Sequence, residues 1–207
     1  MKLAKYIIAI VVVIVIAMNS VYFKNLDEVK ASLSGKQFNA TVYAETFWVD
    51  KLLPNLDKAI DITQLTGMLS TDQAKTFDTY SHALGIGNLR YFLVKGKGTI
   101  ASINEDDISV LLQTDTSKQT ITIATEYIFG NAVRDATGLI NINEFNNTMD
   151  FNNVSAELNK VIREKVLPPF KQKAKKDDTI EFTGAIELNK EHLDMSKIEV
   201  IPVSINE

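Results

Sequence analysis

The sequence predicts an α+β protein in which an N-terminal helical region is followed by a C-terminal OB-like five-stranded β-barrel. Apolar residues recur at helical spacing up to about residue 88, whereas the period changes to two from residue 90 onward. A helical pattern near residues 152–166 separates the third strand from the fourth, which is the order of an OB-like barrel. We therefore divide the chain into a leader (1–23), a helical region (24–88) and a barrel domain (89–207).

The leader is a signal-anchor or a signal peptide. Lys2 and Lys5 form a short basic region, and the stretch from Tyr6 to Met18 carries no charge, as in the apolar core of a signal peptide. Val21, Tyr22 and Phe23 extend this stretch toward the roughly 20 residues that span a bilayer as a helix.

We favour an uncleaved anchor, because the apolar run continues past the imperfect cleavage site at Val15-Ile16-Ala17. The membrane segment would then include Tyr6, Ile7, Val11, Val15, Tyr22 and Phe23. The positive-inside rule keeps the lysines in the cytoplasm and places the C-terminal domain in the periplasm or another extracytoplasmic space. Cleavage and secretion stay open as the alternative.

The helical region consists of three segments and a loop. Residues 41–53 form a helix with Phe47 and Trp48 as expected core positions, and Pro54 stops or kinks it. Asp61 is the predicted N-cap of the next helix, and a third segment covers residues 71–80. Glycines then mark residues 81–88 as a loop.

The barrel domain begins with a strand whose inner face includes Gly96 and Gly98, which indicate a close backbone approach. Its second and third strands cover residues 108–115 and 119–128. A helix starts near Asn152 or Asn153 and ends at Pro168 and Pro169. The last two strands cover residues 179–188 and 198–205.

Composition excludes several classes of function. The chain has no cysteine and two histidines, so neither thiolate chemistry nor a multi-histidine metal site is expected, and we predict no metal and no cofactor. A net charge of -4 and a pI near 5.3 argue against nucleic acid as a partner. We predict no catalytic residue: Ser81 and His82 are adjacent, so their side chains diverge, and the chain has no nucleophile elbow.

Four residues are candidates for ligand binding. His82 precedes the glycine-rich loop, and Arg134 with Asp135 follows the third strand, where the guanidinium fork could orient a carboxylate or sugar hydroxyls. Trp48 could stack on a sugar ring. The structural alternatives are a hydrogen-bonded histidine, an internal Arg134–Asp135 salt bridge and a core tryptophan.

Several stretches resemble a bacterial family of predicted periplasmic lipoproteins, domain of unknown function 2291. They include "YAETFWVDKLLPNLDKAIDITQL", "GNAVRDATGLININEFNNTMDFNNVSAELNKVI" and "VLPPFKQKAKKDDTIEFTGAIEL". Because genes of this family often lie beside those of sugar ABC transporters, the resemblance implies a role near carbohydrate uptake. The chain lacks the lipid-attachment cysteine, so the apolar anchor would replace the lipid.

These observations lead to a membrane-tethered extracytoplasmic accessory or binding protein, associated through the resemblance with a sugar ABC transport system. Its expected partners are the membrane, through the leader, and transporter components or a sugar ligand. The alternatives are a carbohydrate-binding or small-ligand module that acts alone and an envelope enzyme. Such an enzyme would use carboxylates that are brought together only by the fold.

Overall fold

The structure, a computed structural model, describes residues 38–112 and 118–206. The expected membrane segment from Tyr6 to Phe23 lies outside the described residues. Within them, no helix is both long and apolar enough to span a bilayer. Asn39–Glu207 forms one compact unit. The division at residue 88 between a helical and a barrel domain stays a prediction.

Three helices precede the barrel. They are α1 (Ala40–Phe47), which continues through a π-helical turn (Trp48–Leu52) and a 3-10 helix (Leu53–Lys58), α2 (Ile62–Thr71) and α3 (Gln73–Tyr80). The Asp61 carboxylate accepts hydrogen bonds from the Thr63 and Gln64 amides, which confirms the predicted N-cap. Pro54 lies in the first turn of the 3-10 helix, where the N–H that proline lacks is not needed.

The strands form one sheet in the order β1-β2-β3-β4-β6-β5. Their bounds are β1 (Ile60–Asp61), β2 (Leu89–Ile103), β3 (Asp107–Leu112), β4 (Gln119–Ala124), β5 (Thr179–Asn189) and β6 (Glu199–Asn206). Because β5 also pairs with β2, the pairings of β2 to β6 run in a ring, with a short parallel pairing between β4 and β6. Strand β1 adds an unpredicted parallel pairing at the side of β2.

The predicted helix between the third and fourth barrel strands is present, with different ends. This connection contains α4 (Ala132–Asp135), α5 (Thr148–Val161), a π-helical turn (Ile162–Val166) and α6 (Leu167–Lys171). Helix α5 begins before residue 152 because the Asn147 side chain caps it by accepting from the Asp150 amide. Pro168 and Pro169 do not end the helical stretch; they occupy the first turn of α6, where proline is tolerated.

The barrel interior is apolar and filled. Alternate residues of β2 point inward, among them Phe92, Val94 and Ile100, which are fully buried. The two inward glycines confirm the predicted close approach: a Cβ on Gly96 would lie 2.6 Å from the Phe182 ring, and one on Gly98 would lie 2.6 Å from a backbone oxygen. Helices α2 and α3 add Ile62, Leu65, Leu69 and Phe77 to this core.

A second layer covers the outside of β2 and β5. Tyr91 and Leu93 of β2 point outward by alternation and are nevertheless buried, because α4 packs against both strands. Helix α5 packs against α4 on one side and against α1 on the other. This outer layer contains the buried residues Arg134, Asp135, Ser155 and Asn159, in contrast to the apolar barrel interior.

Candidate ligand-binding site

Arg134 and Asp135 form a buried ion pair on α4. The Arg134 Nε donates to Asp135 Oδ1 at 2.6 Å, and Nη2 donates to Asp135 Oδ2 at 3.0 Å. Both residues are 3% exposed. Each carboxylate oxygen therefore accepts from the guanidinium fork, and the pair has no net charge.

Helix α5 completes the surroundings of the guanidinium. The Arg134 Nη1 donates to the Phe151 carbonyl at 3.3 Å and lies 3.5 Å from Asn152 Oδ1. The guanidinium carbon lies 3.4 Å from the centre of the Phe151 ring. These contacts hold the fork rigidly, and they leave one Nη2 N–H without a partner among the described residues.

The ion pair lines a cavity of about 350 Å³ between the glycine-rich loop and helices α4 and α5. The loop contributes backbone and apolar groups, since residues 83–89 all line the cavity. The other polar side chains of the lining are uncharged: Asn88, Tyr91, Asn131, Thr148 and Asn152. The cavity thus combines apolar groups with neutral hydrogen-bonding groups and one neutralised ion pair.

Tyr91 provides a hydroxyl that stays protonated. Burial, the negative charges of Glu187 and Asp135 and a hydrogen bond with the Glu187 carboxylate raise the pKa of Tyr91 to about 12. The phenol is therefore neutral at physiological pH; its hydrogen is engaged with Glu187, so the hydroxyl offers a ligand its oxygen as an acceptor.

His82 lies in a neighbouring cavity of about 250 Å³ and does not line the cavity of the ion pair. Its backbone pairs with Tyr91 through hydrogen bonds of 2.8 and 2.9 Å. A Cβ on Gly138, whose φ is +64°, would lie 2.5 Å from His82 Nδ1, so the imidazole packs directly on that backbone. Burial and the nearby Arg90 charge lower the pKa of His82, which keeps the ring neutral at pH 7.

Trp48 and Ser81 have structural contacts. Trp48 is 8% exposed at the end of α1, and it lines neither of these two cavities. The Ser81 hydroxyl donates to the Phe77 carbonyl at 2.5 Å and accepts from Arg90 Nε at 2.9 Å. The structure therefore brings Arg134 and Asp135 together and places His82 and Trp48 elsewhere.

Sequence reasoning missed the residues that complete the cavity. Tyr91 is an outward residue of β2, whereas the alternation pattern was used to predict the inward residues of that strand. Phe151 precedes the predicted start of its helix. The signal for Asn131 and Asn152 was weak, because isolated asparagines are common in loops and caps. Within residues 38–112 and 118–206, no three His, Asp or Glu side chains are grouped so that they could hold a metal ion.

Comparison with known proteins identifies the family. The chain belongs to the predicted periplasmic lipoproteins of the family DUF2291, whose model matches residues 11–206. No curated protein matches the chain. A crystal structure of an OB-fold protein from Thermotoga maritima MSB8 is 26% identical, with a TM-score of 0.73 over 83% of this chain and 99% of that one.

These matches confirm the family resemblance noted in the sequence and two further predictions. The OB-like α+β fold agrees with the solved structure. The family places the protein outside the cytoplasm, as the leader indicated. Neither match names a ligand, a transport system or an activity.

Proposed function

We propose that this protein is a non-catalytic accessory or binding protein of the cell envelope. Its binding site is the cavity lined by Arg134, Asp135, Tyr91 and loop 83–89. The observation that carries the proposal is the buried Arg134–Asp135 ion pair, joined by two hydrogen bonds, at a cavity of about 350 Å³. Ligand cavities commonly have volumes of roughly 300–1,000 Å³ and combine an apolar lining with a few fixed polar groups.

The charge of the cavity favours an uncharged, hydroxyl-rich ligand. Asp135 already neutralises Arg134, so among the residues that line the cavity a ligand carboxylate would meet no free cation, and a ligand ammonium would meet no free anion. Removing such a charge from water without a partner costs several kcal/mol. Sugar hydroxyls can instead accept from the free Nη2 N–H and pair with the amide side chains. A small sugar is the ligand class that best matches these groups.

The resemblance noted in the sequence supports a sugar ABC transport system as the partner. The leader supports attachment to the cytoplasmic membrane through Tyr6 to Phe23, with the barrel in the periplasm. Because the chain has no cysteine to carry a lipid, this segment would hold the protein at the membrane. Here the protein would bind a sugar close to the transporter that imports it.

Isothermal titration calorimetry of the full chain in detergent tests the ligand. The probes are glucose, galactose, xylose, ribose, maltose and cellobiose, with glucuronate and glucosamine as charged counterparts. We expect saturable, one-site binding of at least one neutral sugar. We expect weaker binding of glucuronate and glucosamine, because their charges would lose water without gaining a partner.

A matched pair of variants locates the site. Asn152 lines the cavity and is exposed, whereas Asn153 is also exposed on α5 and does not line it. Asn152→Trp should block the cavity and abolish binding, and Asn153→Trp should leave it unchanged. The proposal fails if no neutral sugar binds, if glucuronate or glucosamine binds more tightly, or if the two variants behave alike.

A further inference from the structure

The segment 126–131, which joins β4 to α4, is fixed along one face of α5 and of the π-helical turn that follows it. Three side chains spaced four residues apart, two on α5 and one on the π-helical turn, each hold a different part of it. The bonds are Ser155 Oγ to Asn131 Oδ1 at 3.0 Å, Asn159 Nδ2 to the Gly130 carbonyl at 3.0 Å, and Arg163 Nη1 to the Ile128 carbonyl at 2.6 Å. A loop with this many helix contacts has a defined backbone.

Two aromatic side chains project from this fixed segment into solvent. Ile128 is completely buried and anchors it, while Tyr127 and Phe129 on either side are 64% and 67% exposed. Their ring centroids are 6.3 Å apart, and the ring planes differ by 25°. A single exposed apolar residue is ordinary, but two neighbouring aromatic rings on a rigid support form a prepared contact surface.

Because the segment is already ordered, a partner that binds the aromatic pair loses little conformational entropy in this loop. Ordering a loop at an interface opposes association, and here side chains of α5 and of the following π-helical turn have already ordered it. Tyrosine is also among the residues that contribute most to protein interfaces, and aromatic residues in general are enriched in them.

The charge beside the rings indicates the partner. The Arg163 guanidinium lies 6.0 Å from the Phe129 ring centroid, is exposed, and forms no ion pair among residues 38–112 and 118–206. Glu126, at the start of the segment, is neutralised by Lys171. The unpaired charge beside the Phe129 ring is therefore positive, and a carboxylate is its complement.

We propose that Tyr127, Phe129 and Arg163 form a docking site for an acidic segment of a partner protein. An apolar side chain of that segment packs against the two rings, and a flanking Asp or Glu pairs with the guanidinium. The site is separate from the sugar cavity, since none of the three residues lines that cavity.

Selection from a random peptide library displayed on phage tests the proposal with the full chain in detergent as bait. We expect enrichment of peptides in which Asp or Glu flanks an aromatic or aliphatic residue. A synthetic peptide of the enriched sequence should bind at least tenfold more weakly to the Tyr127→Ala/Phe129→Ala protein. Met149→Ala, an equally exposed apolar position elsewhere, should bind the peptide normally.

Arg163→Gln tests the charged part of the site separately. It should weaken the acidic peptide about tenfold and weaken a peptide with Asn and Gln in place of Asp and Glu clearly less, because the neutral peptide is affected only by the lost hydrogen bond to the Ile128 carbonyl. The proposal is overturned if the enriched peptides are not acidic or if the double alanine protein binds them as well as wild type. It is equally overturned if these variants keep the peptide affinity and lose binding of the oligosaccharide cellohexaose, because the aromatic pair would then be a carbohydrate site. Asn152→Trp should leave the peptide affinity unchanged, so this result is independent of the sugar cavity.

Discussion

The barrel interior and the outer layer between the barrel and helices α4 and α5 are built differently. The interior is filled with apolar side chains such as Phe92, Ile100 and Phe182. The outer layer buries a complete Arg134–Asp135 ion pair and leaves the cavity of about 350 Å³ beside it. Both regions share strand β2, whose alternate residues belong to one region or the other.

This difference separates stability from function. A filled apolar interior contributes mainly to stability, because its dense packing excludes ligand and water. A buried ion pair is weak evidence for stability, since its desolvation offsets its attraction. An ion pair that lines an open cavity is better explained by what it holds in place, which here is the candidate site.

The largest expected effect is in the interior. Phe92→Ala should lower the free energy of unfolding by about 3–5 kcal/mol, because it removes a fully buried ring and leaves a cavity. Urea unfolding followed by circular dichroism measures this loss. Tyr127→Ala, which truncates an exposed ring, should change it by no more than about 0.5 kcal/mol. Equal losses would show that the interior is not the stabilising region.

In the outer layer, breaking the ion pair should be nearly as costly as removing Phe92. Arg134→Met leaves the buried Asp135 carboxylate without a cation and should cost about 3 kcal/mol of unfolding free energy. Arg134→Met/Asp135→Leu should recover most of this loss, because no charge stays buried. A double variant as unstable as the single one would show that the pair is needed for stability.

Substituting alanine at two glycines compares the stability effect of a Cβ at a crowded position and at an open one. Gly98→Ala should cost about 1–3 kcal/mol, because its Cβ would lie 2.6 Å from the Leu111 backbone oxygen inside the barrel. Gly67→Ala on α2 meets no atom within 4 Å and should stabilise the protein by about 0.5–1 kcal/mol. Melting temperatures that shift in the same direction would contradict the described packing.

The smallest expected effect is the pH response of His82. Its pKa is lowered in the folded protein by burial and by Arg90, so the unfolded chain takes up a proton first as the pH falls. Stability should therefore decrease from about pH 7 through the unfolded pKa near 6.5 and level off below the folded value. His82→Gln should remove this part of the melting-temperature profile. A wild-type profile that rises on acidification relative to His82→Gln would have the wrong sign.

Regular periodicity made the barrel predictable from the sequence. Alternation along the first barrel strand identified Gly96 and Gly98 as inward residues of β2, and the Asp61 cap marked the start of α2. These features depend on neighbours in the chain, so a local pattern is enough to show them.

The candidate site was predictable only in part. Arg134 and Asp135 stood out as an adjacent charged pair, but α4 is too short to show a helical period. Loop 83–89 and Asn152 meet across a long stretch of sequence, and no local pattern reports such a contact. The prediction that Pro168 ends the helix was wrong, because Pro168 lies in the first turn of α6, where proline is tolerated.

Hydrogen–deuterium exchange of the full chain, with and without the pooled neutral sugars, tests the central claim most directly. The account predicts slower exchange in loop 83–89 and at residues 148–152 of α5, with strands β3 and β4 unchanged. OB-folds commonly bind saccharides on the face formed by their second and third strands, which correspond to β3 and β4 here. Protection confined to β3 and β4, or no protection at all, would contradict a site in the outer layer.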